Sequence, residues 1–197
     1  MSITISKTKQ KLLEVSRLLF ARNGVENTTM NEIAEASGYG RRTLYTHFKN
    51  KNDIYRAVIG SELEKMHDSL NRVTKQKLPP DEKLLMFAFA RLKVIKEVVT
   101  RNGTLRADFF RNIWLVENVR REFDKKEIHY LEAILSDGCE SGTFEIKDVS
   151  KTAEILHYAL KGLEVPVIRG VLNLKYEDEN DRQIINNLIL NGLIRKL

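Results

Sequence analysis

The sequence has few of the features that mark secreted, membrane-spanning or metal-binding proteins. Its 197 residues include one cysteine, Cys139, which excludes a disulfide framework and a cysteine metal cluster. The longest apolar run, Leu84 to Ala90, is far too short to span a bilayer, so no membrane partner is expected. No signal-peptide pattern opens the chain. These absences lead us to expect a cytoplasmic protein.

Sequence signatures of catalysis are absent as well. There is no glycine-rich phosphate loop and no nucleophile elbow. Cys139 has no evident catalytic partner, and the spacing of His67, His129 and His157 is not that of metal ligands. We therefore expect no enzyme, no catalytic residue, no metal and no cofactor.

One stretch of the chain predicts two short helices around a glycine turn. Thr29 and Glu32 have the spacing of a capping box, in which the threonine hydroxyl and the glutamate carboxylate each accept a backbone N–H of the other residue. A helix should follow over residues 30–37. Gly38 suits the left-handed conformation that ends a helix. A second helix is then expected over residues 41–48.

This second helix has an apolar face and a polar face. At about 100° per residue, Leu44 and Phe48 fall on one side, with Ile33 and Ala34 as their expected core neighbours. The opposite side carries polar and aromatic side chains suited to a major groove. Arg42 can make the bidentate contact to guanine that a planar guanidinium allows. The pattern therefore predicts a helix that reads DNA.

Two runs of residues resemble the DNA-binding domain of the TetR family of transcriptional repressors. They are Thr-Thr-x-x-Glu-Ile-Ala, starting at Thr28, and Gly-x-x-x-x-Thr-Leu-Tyr-x-His-Phe-Lys-x-Lys, starting at Gly38. The resemblance implies a homodimer that binds an operator and whose C-terminal domain senses a ligand. By position it assigns DNA contacts to Arg41, Arg42, Thr43, Tyr45, Thr46 and His47, and a phosphate contact to Lys51. Gly40 stands where the family often has a serine or threonine, so a hydroxyl contact to phosphate is not expected there. Arg42 stands where a small residue is common, so the operator is not expected to follow from relatives.

The charge of the chain is concentrated in the predicted DNA-binding part. Residues 1–60 hold ten Lys or Arg against five Asp or Glu, whereas residues 61–197 hold 23 against 22. Most of the formal net charge of +6 therefore lies in the first 60 residues, where it attracts polyanions. Further phosphate contacts are expected from some of the cations on or before the first helix, namely Lys7, Lys9, Lys11 and Arg17.

The rest of the chain also has helical periodicity, so the predicted fold class is all-α. An N-terminal three-helix helix-turn-helix DNA-binding domain, residues 1–50, is followed by a larger helical ligand-binding and dimerisation domain, residues 51–197. Helices are expected over residues 51–74, 81–101, 105–116, 118–137, 149–170 and 181–196. Gly138 is expected to close the fourth of these, and Pro166 to kink or shorten the fifth.

Apolar stripes on the last two helices are candidates for a homodimer interface. The alternative is that they pack only on their own domain. The stripes consist of Leu156, Ala159, Leu160 and Leu163 on one helix and Ile184, Ile185, Leu188, Ile189 and Leu193 on the other.

Large side chains are dense between Leu84 and Leu135. The resemblance implies a ligand cavity among these helices, with ordinary core packing as the alternative for each residue. The candidates for binding a small hydrophobic or amphipathic effector are Phe87, Phe110, Trp114 and Tyr130. We thus predict a DNA-binding transcriptional regulator, a repressor that an effector releases from a palindromic double-stranded operator. The alternative is a constitutive DNA-binding dimer without ligand sensing.

Overall fold

The computed structural model describes residues 6–102 and 113–191, and for residues 113–119 it describes only the backbone. The regular secondary structure in these residues is α-helical, which confirms the predicted fold class. The described helices are α1 (Lys7–Asn23), α2 (Met30–Ser37), α3 (Arg41–His47), α4 (Lys51–Thr74), α5 (Pro80–Arg101), α6 (Ile113–Glu140), α7 (Val149–Gly162), α8 (Glu164–Ile168) and α9 (Glu179–Ile189). No described helix combines the length and apolar character needed to cross a membrane.

The chain forms two compact units. The first comprises Met1–Leu63 and Val98–Arg121, and the second comprises Glu64–Glu97 and Glu122–Leu197. These units are defined by packing, whereas the boundary expected after residue 50 separates functions. That functional boundary stays a prediction.

The helix ends of the first unit follow from local sequence. The Thr29 hydroxyl accepts the N–H of Glu32 at 3.2 Å, and the Glu32 carboxylate accepts the N–H of Thr29 at 2.7 Å, which confirms the capping box. Gly38 ends α2 at φ 72°, a left-handed conformation that a side chain would disfavour. Asn50 caps α4 by accepting the N–H of Asp53 at 2.9 Å. The bounds expected for α2 and α4 are confirmed.

The helix α6 differs from its prediction. It runs without a break past residue 117, and Gly138, expected to close it, lies inside its last turn. The chain instead folds back there, because the carbonyl of Gly138 accepts the N–H groups of Thr143 and Phe144 at 2.9 and 3.0 Å. A Cβ at Gly138 would lie 2.0 Å from Cδ2 of the buried Phe144 ring. The glycine therefore serves close packing, and the left-handed residue of this turn is Gly142, at φ 73°.

The C-terminal helices are shorter than expected. Pro166 lacks an N–H for the carbonyl of Gly162 and its ring crowds that carbonyl, so α7 ends at Gly162 and a five-residue helix, α8, follows. The helix α9 begins at Glu179 rather than Asp181, because Asp178 caps it by accepting the N–H of Asp181 at 3.1 Å. Most of the helix expected over residues 105–116, and the part of the last expected helix beyond residue 191, lie outside the described residues.

Candidate nucleic-acid interface and ligand region

The helix α3 packs on α2 through one buried face. Leu44 and Ile33 have no solvent exposure, and Ala34 and Phe48 are 2% and 4% exposed. The core face predicted from the helical wheel is therefore confirmed. Because this face holds α3 against the rest of the first unit, its opposite face is directed to solvent.

The outward face of α3 carries the side chains that the sequence assigned to DNA contacts. Arg41, Arg42, Tyr45 and Thr46 are exposed, while Thr43 and His47 are half-buried. The Thr46 hydroxyl donates to the carbonyl of Arg42 at 2.9 Å. While that bond is made, Thr46 can accept a hydrogen bond or touch a thymine methyl, but it cannot donate to a phosphate.

Lys51 lies in the first turn of α4 and is half-buried. Its Nζ donates to the carbonyl of Glu26 at 2.9 Å, which ties the loop before α2 to the start of α4. An ammonium group has three donors, so this bond leaves donors for a phosphate. The phosphate contact of Lys51 stays a prediction.

The cations of α1 differ in their surroundings. The Nζ atoms of Lys9 and Lys11 lie over the rings of Phe48 and Tyr39, at 5.8 and 5.2 Å from the ring centroids. These contacts place both positive charges beside the α2–α3 pair.

Arg17, by contrast, is buried, with 7% exposure. Its guanidinium bonds Glu14, with Nη2 to Oε1 at 2.6 Å, and Oδ1 of Asn102 at 3.3 Å. The hydrogen bonds to Glu14 raise the pKa of Arg17. Of the four cations from which some phosphate contacts were expected, Arg17 is therefore not available, because its charge is used inside the first unit. The sequence did contain a signal for this ion pair, because Glu14 and Arg17 are three residues apart and such residues are neighbours on a helix.

The same buried site continues to α4. Glu62 is 2% exposed and accepts hydrogen bonds from Asn102 Nδ2 at 2.8 Å and Arg101 Nη2 at 2.6 Å. The side chains of α1, α4 and the end of α5 therefore form one polar network inside the first unit. No sequence pattern indicated it, because its members are far apart along the chain.

Comparison with known proteins agrees with the geometry described for α1 to α4. The family model for "Bacterial regulatory proteins, tetR family" matches residues 12–58, from within α1 into α4. The chain belongs to the TetR family. Among curated TetR-family relatives, the regulator QacR of Staphylococcus aureus is 24% identical over 188 residues, covering 94% of this chain and 97% of QacR.

Solved structures share the fold of this TetR-family chain over nearly its whole length. A transcriptional regulator from Cytophaga hutchinsonii has a TM-score of 0.74 and 21% identity, covering 96% of this chain and all of that one. SmeT of Stenotrophomonas maltophilia, in complex with triclosan, has a TM-score of 0.70 and 19% identity, covering 97% of this chain and 93% of SmeT. This TetR-family protein is a DNA-binding transcriptional regulator, and its relatives are regulators rather than enzymes.

Two of the four expected ligand-binding residues lie together in the second unit. The rings of Phe87 and Tyr130 meet edge to face at 6.5 Å, and the Tyr130 hydroxyl lies 2.9 Å from Nε2 of His67. His67 stacks on Tyr130 at 5.1 Å, and its burial lowers its pKa. Phe110 lies outside the described residues, as does the side chain of Trp114. A ligand role for all four stays a prediction.

A cavity of about 470 Å³ opens on another side of α5. Neither Phe87 nor Tyr130 lines it. The lining consists of Val73, Met86, Phe89, Ala90, Leu92, Lys93, Lys96, Val167, Asn173, Leu174, Lys175, Tyr176 and Glu177. Sequence reasoning noted the large side chains of α5 but missed the segment over residues 173–177, since nothing in its sequence indicates that it covers α5.

A cluster of charged side chains is buried in the second unit. Arg91 and Glu127 are each 1% exposed and hydrogen-bonded to each other, and Arg91 Nη2 donates to Glu164 Oε1 at 2.7 Å. His157 has no exposure, with Nδ1 3.2 Å from Glu127 Oε1 and Nε2 3.5 Å from Asp124 Oδ1. Burial alone lowers the pKa of His157, but these two carboxylates outweigh it and raise the pKa.

His157 is thus a core histidine. Among the described side chains, those of residues 6–102 and 120–191, no three His, Cys, Asp or Glu are grouped so as to hold a metal ion. The buried cluster is instead an ion network that joins α5, α6, α7 and α8.

Proposed function

We propose that this regulator is a homodimeric repressor that binds a palindromic operator and is released by a small-molecule effector. The observation that carries the proposal is the outward face of α3, where both arginines stand exposed on a helix whose other face is fully packed. That arrangement suits insertion into a major groove. The DNA-contacting residues we propose are those of α3 named above together with Lys51.

The homodimer is supported by exposed apolar side chains on the C-terminal helices. One stripe runs along α7 and α8, and a second lies on α9. A contiguous apolar surface of this kind marks an interaction site, and a two-fold dimer would present each stripe twice. The stripes consist of Ile155, Tyr158, Ala159, Gly162 and Val165, and of Ile184 and Leu188.

This surface differs from the one expected from the sequence. Leu160 and Ile185 were assigned to the interface, but they are 3% and 6% exposed in the single chain and belong to its core. Leu188, in contrast, is 76% exposed. The last helices do carry apolar stripes, as the helical periodicity indicated. The residues that face solvent, however, are partly different from the ones that we assigned to the interface.

The effector we propose is a small hydrophobic or amphipathic molecule bound among the helices between Leu84 and Leu135. SmeT, described as the repressor of the multidrug efflux pump SmeDEF, has the same fold and is solved with triclosan. Such a ligand releases DNA only as far as it binds the DNA-free conformation more tightly than the DNA-bound one. We propose that α4 couples the two events, since its residues belong to both units. A constitutive dimer without sensing is the alternative.

Selection of bound sequences from random DNA, followed by alanine variants, tests the DNA-binding proposal. Arg42→Ala should weaken binding to the selected palindrome by about 1–3 kcal/mol per half-site and relax its sequence preference. Lys51→Ala should weaken selected and random DNA alike and reduce the salt dependence by about one counterion per contact. An equal loss on both DNAs for Arg42→Ala would remove its role in base reading.

The dimer is tested by charge placed on exposed and on buried apolar positions. Leu188→Glu should give a folded monomer by sedimentation, with weakened operator binding, because in the free chain the new charge stays in water. Leu160→Glu is the contrasting variant and should unfold the second unit, because it buries an unpaired ion. If Leu188→Glu stays dimeric with unchanged operator affinity, the interface lies elsewhere.

A further inference from the structure

The cavity beside α5 is built from an apolar floor and a hydrogen-bonded wall. Its floor includes Phe89, Leu92 and Val167, each 4% exposed and so part of the core of the second unit. These side chains pack on the protein with one side and face the cavity with the other. A volume of about 470 Å³ is within the range of roughly 300–1,000 Å³ typical of small-molecule sites.

The outer wall of the cavity is the segment before α9. Its Tyr176 ring meets the ring of Phe89 edge to face at 5.7 Å, and the Arg182 guanidinium lies 4.8 Å from the Tyr176 centroid. The Lys175 N–H donates to the Asp181 carboxylate at 2.8 Å. This wall is therefore held by aromatic, cation–π and backbone hydrogen-bond contacts, and an apolar ligand group would meet a preformed surface.

The polar lining of the cavity is mainly cationic. Three lysines contribute, Lys93 and Lys96 from α5 and Lys175 from the wall, against one carboxylate, Glu177. Lys96 Nζ lies 3.4 Å from Asn173 Oδ1, which is uncharged. Among the side chains of residues 6–102 and 120–191, no carboxylate forms an ion pair with any of the three lysines. The lining thus carries an excess of positive charge, three lysines against one carboxylate.

We propose that this cavity binds an amphipathic anion, its apolar part against Phe89 and Tyr176 and its acidic group at the lysines. Burial of apolar surface on the floor supplies affinity, and the cations select the headgroup. Both lysines of α5 are exposed, so each adds a modest, salt-sensitive contribution. Binding to this cavity stands independently of regulation, whereas its identification as the effector site rests on the proposed release of DNA.

Calorimetric titration of the whole protein with three probes of equal chain length tests the headgroup preference. The probes are decanoate, decan-1-ol and decyltrimethylammonium, each kept below its aggregation concentration. Decanoate should bind most tightly, the alcohol about fivefold to twentyfold more weakly, and the cation most weakly of all. Raising the salt concentration should reduce the affinity for decanoate and leave that for the alcohol nearly unchanged.

Variants assign this binding to the cavity. Replacing Lys93 and Lys96 together by Gln should reduce decanoate affinity by roughly fivefold to twentyfold and spare the alcohol. Glu177→Gln should strengthen decanoate binding, because it removes the one carboxylate of the lining. Lys125→Gln is the matched control, since Lys125 is exposed on α6 and absent from the lining. Ala90→Phe should abolish binding of decanoate and the alcohol by filling the cavity, with helical content unchanged.

Several results would overturn the proposal. They are equal affinity for all three probes, an equal loss of decanoate binding in Lys125→Gln, undiminished binding in Ala90→Phe, or no binding by the unaltered protein. Operator affinity measured with and without decanoate separates the two proposals. Binding without release of DNA would leave the cavity as an anion site and remove it as the effector site. Release of DNA by another compound, with no binding of decanoate, would leave the regulation intact and refute this site.

Discussion

The fit between Gly138 and the Phe144 ring makes a prediction in which two effects oppose each other. Alanine in a helix is more favourable than glycine by about 0.5–1 kcal/mol, so Gly138→Ala in an open helix would stabilise the protein. Here the new Cβ would lie 2.0 Å from Cδ2 and 2.4 Å from Cε2 of Phe144. Carbon atoms pack at about 3.5–4.0 Å, so the ring would have to move by about 1.5 Å or more.

That movement is costly because both the side chain and the backbone of Phe144 are held in place. Its side chain is 3% exposed, and its N–H donates to the carbonyl of Gly138 itself at 3.0 Å. Overpacking of this kind costs typically 1–3 kcal/mol, which exceeds the helix-propensity gain over most of its range. Once the propensity gain is subtracted, we take a net loss of about 1–2 kcal/mol, so Gly138→Ala should lower the melting temperature by roughly 2–8 °C at about 2–4 °C per kcal/mol for a chain of this length.

Thermal and urea unfolding followed by circular dichroism would measure this change. In the background Phe144→Ala, which is itself destabilising, the clash partner is gone and Gly138→Ala should become neutral or stabilising. A Gly138→Ala variant as stable as the unaltered protein, or equally destabilised in both backgrounds, would refute the steric argument.

Three further predictions concern caps and buried charges. Thr29→Ala should destabilise the first unit by about 1 kcal/mol through loss of the α2 cap, measured as a lower urea midpoint. Arg91→Met should destabilise the second unit by about 3–5 kcal/mol in urea unfolding, because it removes the guanidinium that pairs the buried carboxylates of Glu127 and Glu164, and the added change Glu127→Gln should recover part of the loss. The raised pKa of His157 predicts stability that is fully present below the unfolded value of 6.5 and lost as pH rises through the folded pKa. The melting temperature should therefore fall as pH rises through the folded pKa of His157, and His157→Gln should abolish this fall. His67 has the opposite effect, because its lowered pKa reduces stability as pH falls below 6.5.

The features predicted correctly from sequence are those set within one or two helical turns. The Thr29–Glu32 capping box and the glycine at the end of α2 each depend on residues at most four positions apart. The burial of Leu44 on α3 follows from helical periodicity in the same way. Local spacing therefore defined the helices of the DNA-binding head and the face that α3 turns outward.

Features that depend on tertiary contacts could not be predicted from local sequence spacing. Arg91 bonds partners 36 and 73 positions away, and no pattern in the sequence joins them. Arg17 looked like a surface cation because its burial against Asn102 involves a residue 85 positions away. The same limit applies to the cavity, since α5 and the segment over residues 173–177 meet only after folding.

The sequence by itself determined where α2 and α4 begin and end and which side chains of α3 face away from the core, because capping and periodicity act between near neighbours. Tertiary structure decided which apolar stripe of α7 faces solvent, which charges are buried and why residue 138 is glycine. These outcomes depend on how elements pack, and packing is set by the shape and burial of surfaces brought together from distant parts of the chain.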